Sequence, residues 1–361
     1  MMRFMSMIVL LFCMTPQASA QLEQIECGIN MRKTAKAGVD LALRQQRLNE
    51  LGQRASLPYT MRIQVVVFYE TTATVTDAEI QRNLQNMANF YRQHNICFIL
   101  SDIEYVQDAA LANFNTANES MLLSYTRPSY LSIFIHTSLY DSQGTLNGMA
   151  YEIPNSYLSI VDDAILSTTN LSTLAHEMGH CFGLYHTFET QFSSENRARS
   201  GPCKNCETTG DLLCDTEADR NITEADITAT CVYTGNQQSF CDMTVFVMET
   251  RNIMTYGRRA CRDRLTNGQG SRARDHILTE SILFNCIAPD VITLTNTTNY
   301  AGGIYSLTAK EWINVNSPSY NISGSAQMRM TSRSIRLGAG TYLRPTASGA
   351  VIALKTNTYC E

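Results

Sequence analysis

The feature that most restricts what this 361-residue chain can fold into is one run, His176-Glu177-Met178-Gly179-His180-Cys181-Phe182-Gly183-Leu184-Tyr185-His186. On a helix, His176 and His180 project from the same face, one turn apart. Two imidazoles at that spacing can grip one Zn2+ at about 2.0–2.1 Å. Glu177 is rotated by about 100° from His176, so it can face a water on the metal without ligating it. Gly183 can end the helix in a left-handed turn that other residues resist. The chain then doubles back and brings in His186 as a third ligand. Three protein ligands leave the fourth position open, the mark of a catalytic rather than a structural zinc site. The plainer alternative is a helix with two core-facing histidines. Five fixed positions, however, arise by chance in a chain this long only on the order of one time in ten thousand.

The surrounding sequence supplies a scaffold. Met61 to Tyr69 reads as a buried strand. Thr76-x-x-Glu79 is a capping box opening a helix with Ile80, Leu84, Met87 and Tyr91 on one face. Ile96–Leu100, Tyr130–Ile135 and Met149–Tyr151 are further short strands, the last expected at a sheet edge, and a helix is expected from about Thr169 to Phe182. This order predicts an α/β domain with a mostly parallel sheet. Residues 187–250 are irregular, acidic and rich in cysteine, and from about 289 short alternating runs predict a separate, small all-β module. A hydrophobic content of 44% excludes a disordered chain. The net charge of −5, with no basic run, argues against nucleic acid.

At the N-terminus, Arg3, the apolar stretch Met7–Met14 and the small-x-small site Ala18-Ser19-Ala20 read as an export signal. Eight apolar residues fall far short of the roughly 20 that span a membrane, and no transmembrane segment is expected. The expected division is a signal peptide (1–20), a pro-segment (21–58), a catalytic domain (59–288) and a β-rich module (289–361) of a secreted protein.

H-E-x-x-H-x-x-G-x-x-H resembles the long zinc motif of the metzincin metalloproteases. Asn252-Ile253-Met254-Thr255-Tyr256 resembles that clan's methionine turn. His186-Thr187-Phe188, the Gly210–Thr216 stretch and the segment Cys261, Leu265–Gln269 and Arg272 are similar to the pappalysin family, over roughly residues 60–285. Glu217 stands where that family often has proline. The resemblance implies a two-lobed catalytic domain, with a twisted mixed sheet plus helices above and an irregular, disulfide-bonded C-terminal lobe below. It implies a zinc endopeptidase acting on protein or peptide substrates, expected here as a monomer. His176, His180 and His186 would hold zinc, and Glu177 would accept a proton from the attacking water. Met254 would floor the metal and Tyr256 would help stabilise the oxyanion. Substrate would pair with the edge strand near Gly148–Tyr151.

Removing the signal leaves eleven cysteines, so at least one is expected to be free. Cys27 is the candidate, and a thiolate can fill the open zinc position. Cys27-Gly28 resembles the cysteine switch of metzincin zymogens, which implies a latent precursor. Cys203, Cys206, Cys214, Cys231, Cys241, Cys261 and Cys286 are expected to staple the irregular region, a disulfide role for Cys203-x-x-Cys206 being favoured over a second zinc. Cys181 is expected to be buried. Asp211, Asp215, Thr216, Glu217 and Asp219 are spaced closely enough for Ca2+, and pappalysins carry calcium in this region; the alternative is a solvated acidic loop. His94, His136 and His276 read as structural. Two rival functions are a catalytically inactive zinc-containing binding protein and a surface- or substrate-anchoring protein acting through the C-terminal module.

Overall fold

A computed structural model describes residues 28–29, 41–51, 57–295, 299–316, 320–339, 341, 343–345 and 351–355. Strand β1 (Gly28–Ile29) and helix α1 (Leu41–Leu51) precede β2 (Tyr59–Tyr69), α2 (Asp77–Arg92) and β3 (Ile96–Gln107). Next come the short α3 (Ala109–Ala112) and β4 (Asn113–Asn115), then β5 (Leu131–His136), β6 (Ser138–Tyr140), β7 (Gly148–Ala150), β8 (Tyr157–Val161) and α4 (Asp162–Leu166). Helix α5 (Thr173–Cys181) carries the zinc motif. An irregular stretch separates it from α6 (Asn267–Thr279) and α7 (Ser281–Phe284).

The main sheet has the order β1-β7-β8-β5-β2-β3. The strands from β8 to β3 are parallel; β7 runs antiparallel to β8, and β1 is parallel to β7. The mixed α/β class is therefore as expected. Strand β2 is buried along nearly its whole length, as a parallel strand covered on both faces must be. Helix α2 starts at the expected capping box, Thr76 bonding Glu79 N and the Glu79 side chain bonding Thr76 N. Its Tyr91 meets Phe98 of β3 and Phe182 after α5 in edge-to-face contacts at 5.7 and 5.5 Å, worth about 0.5–1.5 kcal/mol each beyond burial. Tyr91 also donates to Ala175 O at 2.7 Å, locking α2 to α5.

Three local expectations change. Strand β3 runs on to Gln107, beyond the apolar run, because Ile103–Gln107 are only half-buried or exposed and mix polar with apolar residues. Strand β8, not anticipated from sequence, lies between β7 and β5; Ser159 interrupts its apolar run but is buried against His136 and Tyr151. Helix α5 begins at Thr173, because Asn170 Oδ1 accepts from Thr173 N and Oγ1 and holds the preceding residues in a turn.

Residues 187–266 form the lower, irregular lobe around a small core of Ala218, Ile222, Ile227, Phe246, Met248 and Cys261. Disulfides Cys203–Cys241, Cys206–Cys214 and Cys231–Cys261 staple it. The C-terminal region is all-β, and its connectivity is a finding of its own. Strands β9 (Val291–Leu294), β12 (Trp312–Val315) and β15 (Ser334–Leu337) stack in parallel. So do β10 (Asn299–Tyr300), β13 (Tyr320–Ile322) and β16 (Leu343–Pro345), and likewise β11 (Ile304–Thr308), β14 (Gln327–Thr331) and β17 (Val351–Lys355). This is a three-sided parallel β-helix of three coils. Successive coils bury each other's inner faces, as in any solenoid, and the middle coil supplies the fully buried Ile313, Val315, Ile322, Met328 and Met330. Among the described residues no helix is long and apolar enough to cross a membrane.

Candidate metal centre and active site

Every side chain of α5 is buried. His176 Nδ1 lies 2.6 Å from Ile253 O, and His180 Nδ1 lies 2.8 Å from Leu184 O. A carbonyl only accepts, so Nδ1 of each ring must carry the proton and Nε2 the lone pair. The Nε2 atoms of His176, His180 and His186 converge at mutual distances of 3.1, 3.2 and 3.2 Å. Lone pairs cannot bond one another at that distance, but they can share a cation. Arms of 2.0–2.1 Å in a tetrahedron set ligand edges of about 3.3–3.4 Å, so the triangle fits a zinc-sized ion. Burial holds the imidazoles neutral: it pushes the His176 pKa down to about 3 and those of His180 and His186 well below the usual value. Neutral imidazole is the form a metal needs.

Gly183 sits at φ +84°, and a Cβ there would stand 2.2 Å from His276 Cδ2, so only glycine makes this turn. Leu184 N donates back to Gly179 O at 2.9 Å, and the reversed chain delivers His186. Phe188 stacks on the His186 ring at 4.6 Å. The Met254 turn is shaped by Asn252, whose Oδ1 accepts Met254 N at 2.9 Å while its amide pairs with that of Gln269. Met254 is fully buried, and its Sδ lies 2.6 Å from where a Cβ on Gly179 would be. The Tyr256 ring stands 4.8 Å from that of His186 and 6.0 Å from that of His176. Glu177 is buried against Gly148 of β7, whose missing Cβ would lie 2.6 Å from Glu177 Cγ.

A family model described as pregnancy-associated plasma protein-A, of peptidase family M43, matches residues 123–278, which hold the histidine triad and the methionine turn. Over these residues the chain is similar to the pappalysin family of metzincins. It is 24% identical over 285 residues to an extracellular metalloprotease of Neurospora crassa, covering 71% of this chain and 92% of that protein. Among solved structures, a mutant of promirolysin from Tannerella forsythia is 17% identical and covers 73% of this chain and 97% of its own, with a TM-score of 0.51. That likeness concerns the fold. Mature mirolysin from the same organism, in complex with a cleaved peptide, is 19% identical and covers 64% and 97%, with a TM-score of 0.49. The match to a metalloprotease family implies a metal, and among the described residues the histidine triad is the cluster that could hold one.

Cys27 lies outside the described residues, as do the export signal and the rest of residues 1–27. The adjoining Gly28 and Ile29 pair in parallel with Met149 and Ala150 of β7. Helix α1 of the same N-terminal segment lies against α6, with Arg44 Nε 2.6 Å from Asp275 Oδ1. The acidic cluster is brought together only in part. Thr216 Oγ1 donates to Asp211 Oδ1 at 3.0 Å, but Asp215 is exposed and accepts Gly268 N instead. Asp219 leaves the cluster and bonds Thr187 and Thr255. Glu195, not singled out from sequence, takes their place: a Cβ on Gly210 would stand 2.2 Å from its Oε2. Glu195 Oε2 and Asp211 Oδ2 are buried without a hydrogen-bond partner among the described residues. Burial and mutual repulsion push Glu195 up to about 8, and burial foremost pushes Asp211 up to about 7. Glu195 Oε1 pairs with Arg199 at 3.0 Å and Asp211 Oδ1 accepts from Thr216 and Leu213, so each carboxylate is left with one buried oxygen open to a further partner such as a cation.

Cys286 is not one of the staples: it is a buried free thiol donating to Ile282 O within the α7 turn. Cys181 is buried, as expected, and is also a free thiol. Cys203 and Cys206 enter different disulfides. His136 is structural, its two ring nitrogens satisfied by Leu111 O and Ser159 Oγ.

Proposed function

We propose that the chain is a secreted zinc-dependent endopeptidase made as a latent precursor. The observation that carries this reading is the triangle of three neutral imidazole nitrogens 3.1–3.2 Å apart, with Glu177 on the same helix. His176, His180 and His186 would hold zinc, which when bound polarises the scissile carbonyl and acidifies water. Glu177 accepts the proton of the attacking water and passes it to the leaving amine. Tyr256 donates a hydrogen bond to the oxyanion that develops on the carbonyl. Strand β7, at the sheet margin, lends its backbone to an extended substrate. Met254 is the apolar floor.

The pairing of Gly28–Ile29 on β7 supports latency, because it occupies the backbone edge that substrate needs. Cys27 precedes that pair directly, and its thiolate would serve as the fourth zinc ligand of the precursor. The division into pro-segment (21–58), protease (59–288) and β-rich module (289–361) follows, with a leader (1–20) consistent with the disulfides and with an extracellular relative. Calcium at Glu195, Asp211 and Thr216 is supported by the two buried carboxylate oxygens, Glu195 Oε2 and Asp211 Oδ2, that lack a hydrogen-bond partner among the described residues.

The test is metal content together with cleavage of a denatured protein, before and after removal of residues 21–58. One zinc per chain and chelator-sensitive cleavage that rises on removal is the expected result. Zinc without cleavage after removal would refute the protease reading in favour of a zinc-containing binding protein.

A further inference from the structure

Two of the three candidate ligands are oriented by backbone carbonyls, Ile253 O for His176 and Leu184 O for His180. For His186 the described residues supply no such acceptor to Nδ1. It also lies beyond the helix, so the register that fixes the other two rings does not extend to it. Something else must hold it, since a ligand displaced by a few tenths of an ångström spoils a tetrahedral site.

Thr187, the next residue, is fixed twice. Its N donates to Met254 O at 3.1 Å, and its Oγ1 donates to Asp219 Oδ2 at 2.7 Å. The same Asp219 oxygen accepts Thr255 Oγ1 at 2.8 Å, from the residue between Met254 and Tyr256. Asp219 Oδ1 accepts Ile222 N at 3.3 Å. Asp219, Thr187 and Thr255 are all buried, at 7%, 1% and 0% exposure. One carboxylate of the lower lobe therefore ties together two segments that are 68 residues apart and that carry His186 and Tyr256. Because Thr187 lies between His186 and Phe188, anchoring it also sets the ring stack that orients His186. Burying a carboxylate is expensive unless strong hydrogen bonds compensate, and these bonds are spent on the segments that form the metal centre.

We propose that Asp219 is a positioning residue for the metal centre: it clamps Thr187 to Thr255 and so holds His186 and Tyr256 in place relative to His176 and His180. This rests on the zinc reading above. It assigns Asp219 a role through Thr187 and Thr255 and no contact with substrate or metal.

The test measures the zinc dissociation constant of the full chain against a chromophoric chelator, alongside the thermal midpoint of the metal-free protein. The variants are Asp219→Ala, Asp219→Asn, Thr187→Val and Thr255→Val. The control is Asp162→Asn, which alters an equally buried carboxylate that accepts from Thr74 away from the triad. The expected result is zinc binding weakened about 10–100-fold in Asp219→Ala, the usual effect of losing an outer partner. Asp219→Asn, which keeps one acceptor oxygen, should lose less. Each threonine variant should weaken binding in the same direction, and they carry the test should Asp219→Ala not fold. Asp162→Asn should lower the midpoint and leave zinc affinity unchanged. Zinc affinity within twofold of wild type in the folded Asp219 and threonine variants would overturn the proposal, as would an equal loss in Asp162→Asn. A wild-type chain that takes up no zinc would instead overturn the functional reading on which the proposal stands.

Discussion

Gly148 offers a sharp test of the active-site geometry, because it is where the sheet margin meets Glu177. A Cβ at this position would lie 2.6 Å from Glu177 Cγ, 2.7 Å from Oε1 and 2.8 Å from Cδ, against an ordinary contact of 3.4 Å or more. Gly148→Ala must therefore push Glu177 and β7 apart by at least about 0.8 Å. Overpacking of this kind typically costs about 1–3 kcal/mol, which the fold should survive with a thermal midpoint a few degrees lower. Catalysis should suffer far more, since a misplacement of about 1 Å can cost about 100-fold in rate. The three histidines do not touch Gly148, so zinc content should remain one per chain. The assay is kcat/KM on a quenched fluorescent peptide with residues 21–58 removed, read beside zinc content and the melting curve. Gly148→Ala with full zinc and kcat/KM within threefold of wild type would refute the claim that β7 holds Glu177 in working position.

Four further outcomes follow from the same geometry. Glu177→Gln should retain zinc and lose about 100–10,000-fold in kcat, the usual share of general acid–base catalysis; turnover near wild type would remove Glu177 from the mechanism. Gly183→Ala places a Cβ against the His276 ring at a positive φ, so it should weaken zinc binding, and Gly183→Ala/His276→Ala should recover part of that loss, because only the backbone strain of about 1–2 kcal/mol remains. Glu195 and Asp211 have folded pKa values raised above their unfolded ones, so each penalises the fold increasingly as pH rises from about 4–5 to 8. Calcium should therefore raise the melting midpoint more at pH 8 than at pH 5, and Glu195→Gln/Asp211→Asn should abolish the difference. His136 has the opposite sign for acid: its pKa is pushed down to about 4, so its contribution is full above pH 6.5 and disappears as pH falls through 4, a loss of about 3 kcal/mol that should steepen the acid limb of a stability-versus-pH curve and flatten in His136→Gln.

What was legible in the sequence was what depends on local spacing. The triad and its glycine turn could be read because three ligands and a reversal fit within eleven residues, and the capping box of α2 because Thr76 and Glu79 satisfy each other across three residues. The parts that escaped are set by contacts distant in sequence. Glu195 meets the Asp211 loop only because Gly210 leaves room for its carboxylate. Asp219 looked like one more acidic residue in a loop until the fold set it against Thr187 and Thr255, 32 and 36 residues away. The β-helix strands were visible as alternating runs, but their stacking was not. One stacked column repeats a residue, Ile292–Ile313–Ile335, but others share size and not identity, as in Leu294–Val315–Leu337 and Leu307–Met330–Leu354, so no repeated motif announces the coils.

The two margins of the main sheet are covered in different ways, and the difference bears on function. At the β3 margin, the pairing with β2 skips Ser101, a bulge that frees this residue from the ladder. Ser101 Oγ shares a hydrogen bond with Thr308 Oγ1 at 2.8 Å, and next to it the buried Asp102 pairs with Arg127 and with Arg329 of the β-helix. Such a contact is costly to break: removing one partner of a buried ion pair typically costs about 3–5 kcal/mol. At the other margin, β7 is covered by the two-residue β1, whose chain precedes the expected domain boundary. Among the described residues this cover is the two-residue ladder of Gly28 and Ile29, without an ion pair of the kind that braces β3. Loss of the segment before residue 58, once its α1 contact with α6 is also given up, would uncover the β7 side alone and leave β3 braced. An extended peptide could then add to the sheet only beside Glu177, and the margin remote from the triad would stay closed to aggregation.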